Sequence, residues 1–192
     1  MPGQPFNHTW LSMHLVTSAL FLPSLLPSLS PPSQDLLLRA YFAASMATFI
    51  IRGRPKLNIK ALYESQETAY PIPSGVLPTP HEKTLPLPGA DANRIKAVTP
   101  NPWLPIMETS MTHPSEHLIK LQRALAHFST LFGHREQGAR EGGLDGAAQE
   151  LEGAELLDGT LFIRVAGLTA TKMGRVREGE AVGQWDSSGF EP

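Results

Sequence analysis

The apolar residues of this chain recur at helical spacing and almost never alternate. From Gln34 to about Arg52, Leu37, Leu38, Tyr41, Phe42, Ser45 and Phe49 keep one face, which predicts an amphipathic helix. Ser33 is placed to cap it, Pro31 and Pro32 break the chain ahead of it, and Gly53 and Pro55 end it. An earlier helix is predicted from its cap, Thr9, to about Leu22, where Pro23 stops it. Asn58 caps a shorter helix through about Thr68, and Asn101 with Pro102 opens another through about Met111.

The stretch HPSEHLIKLQRALAHF, from His113 to Phe128, predicts the next helix. Pro114 suits a first helical position, Glu116 suits the positive end of the dipole, and Gly133 is a stop. Leu118, Leu121, Leu125, Phe128 and Phe132 form one apolar face, with Ile119 and Ala126 on the other side. A helix so apolar all round is expected to be buried. Ala147 to Leu157 also reads as helical. Asp158 caps a last helix from Thr160 to about Met173, where the β-branched residues keep a strand as an alternative. With no alternating pattern, repeat or sustained heptad, the expected fold class is all-α, an irregular helical array.

Length and composition add the organisation. A chain of 192 residues is enough for one domain, here expected over 1–192. The Pro-rich stretch 70–100 reads as an irregular surface connection with a weak helix near Asp91 to Val98. Gly138 to Gly146 reads as a loop, and 174–192 as a polar, loosely packed tail. No Asp, Glu, Lys or Arg occurs from Met1 to Gln34. The missing basic residues and the interruptions at Pro23 and Pro27 argue against both a signal peptide and a membrane span. The better reading is a buried helix whose neighbours lie upstream, so that the chain is a partial, truncated domain. Leu15, Leu20, Phe21 and Leu25 are then under-covered and expected to drive self-association.

A net charge of -2 leaves no electrostatic footprint for nucleic acid. The absence of Cys excludes disulfides and thiolate metal sites and fits a reducing compartment, so a cytoplasmic location is expected. There is no GxGxxG, Walker A, GxSxG or HExxH pattern, which removes support for Rossmann-type cofactor binding, ATP hydrolysis, acyl transfer by a nucleophile elbow and zincin chemistry.

The candidate chemistry lies on the His-bearing stretch. At 100° per residue His113, His117, Lys120 and His127 fall within about 80° of arc on one helix. Three imidazoles and an amine on one stripe are candidate metal ligands or acid/base groups. The plainer alternative, capping or core hydrogen bonding, weighs about equally. His14, in the uncharged context WLSMHLVTSALFL, is a second candidate, either bonded locally to backbone or Thr17 or facing the stripe from another helix. His8, His81 and His134 read as surface residues, Arg52 and Arg54 as solvated charges at a helix end, and Glu152, Glu155 and Asp158 as an acidic cluster partly explained by capping.

MHLVTSALFLPSL, LLRAYFAASMATFIIRGRPKL, NPWLPI, HPSEHLIKLQRALAHF, ELLDGTLFIRVAGLT and QWDSSGF together resemble the questin oxidase-like family of fungal oxidoreductases. Its members include Baeyer–Villiger-type oxidases of anthraquinone and aflatoxin biosynthesis. The resemblance implies a helical fold, NADPH-dependent oxygenation of an aromatic polyketide, and a non-haem iron held by imidazoles. It places this chain in the C-terminal half of a family member, with further His-bearing helices upstream. Residue by residue it points to His14, His113, His117 and Lys120, so that His14, His113 and His117 are the candidate metal ligands and Lys120, with His127 from the same stripe, the candidate catalytic groups. Lys120 would be neutral or carboxylated in that setting. The alternatives are an inactive truncated remnant and a helical scaffold without catalysis.

Overall fold

The computed structural model describes residues 10–64, 101–137 and 152–185. All regular structure among them is helical, and none is strand. The expected weak helix at Asp91 to Val98, the loop at Gly138 to Gly146 and most of the helix at Ala147 to Leu157 fall outside these residues. The chain divides into two compact units, residues 1–57 with 185–192, and residues 58–184.

The first unit holds α1 (Trp10–Ala19), α2 (Leu22–Leu25) and α3 (Pro31–Ile51). The breaks fall just ahead of the prolines, which open the helices that follow. Pro23 lies in the first turn of α2, and Pro31 and Pro32 open α3 with Ser30 as the cap. The first-turn N–H groups of a helix have no partner within it, so proline loses nothing there and its φ is already helical. Gln34 fixes this start, its side-chain amide donating to the carbonyls of Leu26 and Leu29 at 2.9 and 3.0 Å. The end of α3 follows the expected stop. Gly53 takes φ +75°, its N–H donates to Ile50 and that of Arg54 donates to Phe49, a Schellman closure. α1 packs on α3, and the Tyr41 hydroxyl donates to the Leu15 carbonyl at 2.6 Å. Phe21, Leu36, Phe42, Ile50 and Ile51 are more than half exposed.

The second unit holds α4 (Ile59–Glu64), α5 (Trp103–Thr112), α6 (Glu116–Phe132) and α7 (Leu161–Met173). Asn58 and Asn101 act as expected, each accepting from an N–H of the turn that follows, at 3.2 and 3.0 Å. α5, α6 and α7 pack against one another. Their shared core is Ile106 from α5, Leu118, Leu121, Ala124 and Leu125 from α6, and Ile163, Ala166, Ala170 and Met173 from α7. Small residues at 124, 166, 167 and 170 let backbones approach closely enough for the Gln122 amide to donate to the Ala166 carbonyl at 2.9 Å. Phe128, Phe132 and Phe162 extend this core, with ring centroids about 6 Å apart.

The segment after Asp158 is the expected helix and not the strand alternative, because its apolar positions keep helical spacing against α5 and α6. Two expectations are corrected here. α6 is not apolar all round: Lys120, Arg123 and His127 lie exposed along it, and only one face is buried. The start of the 174–192 tail is not loose. Arg175 is fully buried and Glu178 nearly so, in a 3-10 turn (Val176–Glu178) that packs on α5 and is tied to it by an Arg177–Glu108 ion pair. Gly174 at φ +84° makes the turn into this segment. A Cβ there would meet the Ala181 carbonyl at 1.9 Å, so the chain can double back only on glycine.

Candidate functional site

The His-bearing stretch is divided between two elements. His113 does not lie on α6; it ends α5, with φ -74° and ψ 136°, and Ser115 is the residue before α6. The reason is Pro114. A residue preceding proline is pushed from the helical region into extended backbone, so His113 must stand outside the helix. The arc shared by four residues on one helix is thereby reduced to His117, Lys120 and His127.

The His113 ring is buried, 7% exposed, and both of its nitrogens are engaged. Nδ1 accepts the Ser115 N–H at 3.0 Å, which requires the proton on Nε2, and Nε2 donates to the Met173 carbonyl at 2.8 Å. The same carbonyl accepts the Gly183 N–H at 2.6 Å. His113 therefore ties the α5–α6 corner to the last turn of α7 and satisfies a helix-end carbonyl. This is the core hydrogen-bonding role that the sequence held open.

Its three neighbours on α6 face a wetter environment. Lys120 donates to Glu116 at 3.0 Å and is half exposed, so its ammonium stays solvated beside a carboxylate. The hydrogen bond from Lys120, then its charge and that of His117, hold the Glu116 carboxyl below the usual carboxylate range. His117 is a quarter exposed, with Nδ1 3.9 Å from Glu116. His127 is exposed, edge-on to Phe128. His14 belongs to α1 of the first unit, half buried, and its carbonyl accepts the Thr17 hydroxyl at 3.2 Å. Among the described residues no three His, Asp or Glu side chains gather at metal-binding spacing.

A second polar cluster escaped the sequence reading. Asp158 Oδ1 accepts the Thr160 N–H at 2.8 Å, the Thr160 hydroxyl at 2.5 Å and the Tyr63 hydroxyl at 3.1 Å. The Asp158 N–H donates back to the Tyr63 oxygen at 3.0 Å. Arg164 closes the cluster, its Nε donating to Thr160 Oγ1 at 2.8 Å and its guanidinium lying 4.6 Å over the Tyr63 ring. The capping role of Asp158 was legible as Asp-Gly-Thr ahead of an apolar run. Tyr63 lies 95 residues away and carried no signal.

Burial, more than the adjacent Asp158 charge, pushes the Tyr63 phenol above its ordinary value of 10.0. The folded state therefore holds this proton more tightly than the unfolded chain. The associated stability is fully present below the unfolded value and is lost as pH rises through the folded one. Tyr63→Phe should remove a phenol that titrates above the ordinary range from a phenolate absorbance titration. It should also cost about 1 kcal/mol at neutral pH through the lost hydrogen bond. An unchanged titration curve would count against the cluster.

In comparison with known proteins, a family model described as questin oxidase-like matches residues 1–125. No curated protein and no solved structure matches the chain. The matched span contains His14, His113, His117 and Lys120, while His127 and the ELLDGTLFIRVAGLT and QWDSSGF blocks lie beyond it.

Proposed function

Because this chain belongs to the questin oxidase-like family, we propose that it is an oxidoreductase that inserts oxygen into an aromatic polyketide ketone in a Baeyer–Villiger step, with NADPH as electron donor. The family match carries this reading. In the reaction one oxygen atom of O2 enters between the carbonyl carbon and its aromatic neighbour. The other leaves as water, with two electrons from NADPH and one proton from solvent balancing the change. The polar edge of α6 is the acid/base surface for it. His117 is accessible and stands beside Glu116, and Lys120 offers a fixed positive charge toward an anionic oxygen. His127 lies further along the same helix and is solvent-accessible.

A non-haem iron is part of what the family resemblance implies. The side chains described here do not supply a ligand set for it. His113 would have to give up a backbone hydrogen bond to ligate, and Lys120 donates to Glu116. Among the described residues no helix is long and apolar enough to cross a membrane, and a small-molecule substrate met in the cytoplasm is the expected partner.

The test is incubation of the full chain with NADPH, an anthraquinone-type ketone and isotopically labelled O2, read by mass spectrometry. NADPH-dependent appearance of a product carrying one labelled oxygen is the expected outcome, and its absence overturns the reading. The engagement of both His113 nitrogens favours a second reading, a helical scaffold without catalysis, and the same experiment separates the two.

A further inference from the structure

The starts of α5 and α7 and the end of α6 meet around a cleft of about 230 Å³, lined by Pro102, Trp103, Ser129, Gly133, Thr160 and Ile163. All three helices belong to the packed core of the second unit, so the cleft is held by the fold itself. Its width is set by a backbone contact: the Gly159 N–H donates to the Arg135 carbonyl at 2.9 Å, and a Cβ on Gly159 would meet the Gly133 carbonyl at 2.1 Å.

We infer that this cleft binds a phenolic aromatic ring, with the ring against Trp103, Pro102 and Ile163 and its hydroxyl donating to Thr160 Oγ1. Size comes first. An apolar protein cavity of about 150 Å³ takes up benzene, so this volume suits one to two fused rings and not a larger ligand. Shape and chemistry come next. An indole, a proline and an isoleucine offer flat apolar surface, and an aromatic ring stacks favourably on the first.

The polar end is more selective. The Thr160 hydroxyl hydrogen is committed to Asp158, and one lone pair already accepts from Arg164. What remains is an acceptor beside a carboxylate. It suits a neutral O–H donor and disfavours a carboxylate ligand, whose charge would face Asp158. Ser129 also lines the cleft and supplies a second hydroxyl for a substituent on the ring. The inference goes beyond the oxidase reading: the cleft lies at the end of α6, about 18 Å along the helix from His117, and is too small for an anthraquinone. Its test reads binding alone, so the two fail separately.

The test is titration of the isotopically labelled full chain with 1-naphthol, followed by amide and indole N–H chemical shifts. Saturable shifts at the Trp103 indole and at the Ser129, Thr160 and Ile163 amides are expected, with naphthalene weaker and 1-naphthoate weaker still. Ser129→Phe fills the cleft without touching the Asp158 cluster and should reduce affinity at least about tenfold. Thr160→Val removes one hydrogen bond and should reduce it by roughly two- to tenfold. Non-saturating shifts, shifts away from these residues, 1-naphthoate binding as well as 1-naphthol, or a folded Ser129→Phe chain with unchanged affinity would each overturn the inference. The wild-type titration alone decides the matter if a variant fails to fold.

Discussion

Arg175→Ala should destabilise the second unit by about 3–5 kcal/mol, the size expected when one member of a buried set of charges is removed. Arg175 is fully buried, and burial lowers its guanidinium pKa while Glu178 and Glu180 act to raise it. Its backbone N–H donates to Glu180 at 2.9 Å, and its Nη2 reaches the Gly167 carbonyl at 3.4 Å. Among the described residues Nε and Nη1 have no hydrogen-bond partner, nor does Oε2 of the buried Glu178. The charges thus balance through space without being well hydrogen-bonded. Removing Arg175 leaves Glu178 with Arg177 at 3.9 Å. The same arrangement makes a second outcome distinctive. Replacing both Arg175 and Glu178 with Met should recover most of the loss, since well-packed apolar residues often match or exceed a buried ion set. Urea unfolding measures both. A single variant within about 1 kcal/mol of the parent, or a double variant as unstable as the single, would show that these charges do not act together.

Leu118→Ala should cost about 2–5 kcal/mol. Leu118 is fully buried on α6, where α5 and α7 both pack, so the cavity left behind is walled by helices that cannot all close on it. Against a typical domain stability of about 5–15 kcal/mol, the upper end of that range threatens folding at physiological temperature. Leu131, nearly half exposed further along the same helix, is the internal control, and Leu131→Ala should change stability by well under 1 kcal/mol. Equal midpoints for the two variants in thermal unfolding would contradict the assigned core.

The apolar pattern placed Leu118 on the main apolar face of α6 and left Leu131 off it, as the structure does, but it also read the helix as buried nearly all round. The pattern read the helix and its face correctly, because side chains at helical spacing report a local geometry. It could not report which distant groups that helix meets. The same limit explains His113. The rule for the residue before proline was available in the sequence and places His113 outside the helix. That its ring joins the α5–α6 corner to the Met173 carbonyl, 60 residues on, was not.

What the sequence determined by itself was local. It fixed the helical class, the caps at Asn58, Asn101 and Asp158, the glycine stop after α3, and the family, through blocks of residues that the family match bears out over residues 1–125. Each depends on neighbours within a few positions, where backbone sterics and orphan N–H groups act. The tertiary structure alone decided the rest. It brought Tyr63 to Asp158, buried Arg175 and Glu178 in what read as a polar tail, and set three helix ends around one cleft. Those outcomes depend on which groups lose water together, and that is a property of packed elements from distant parts of the chain.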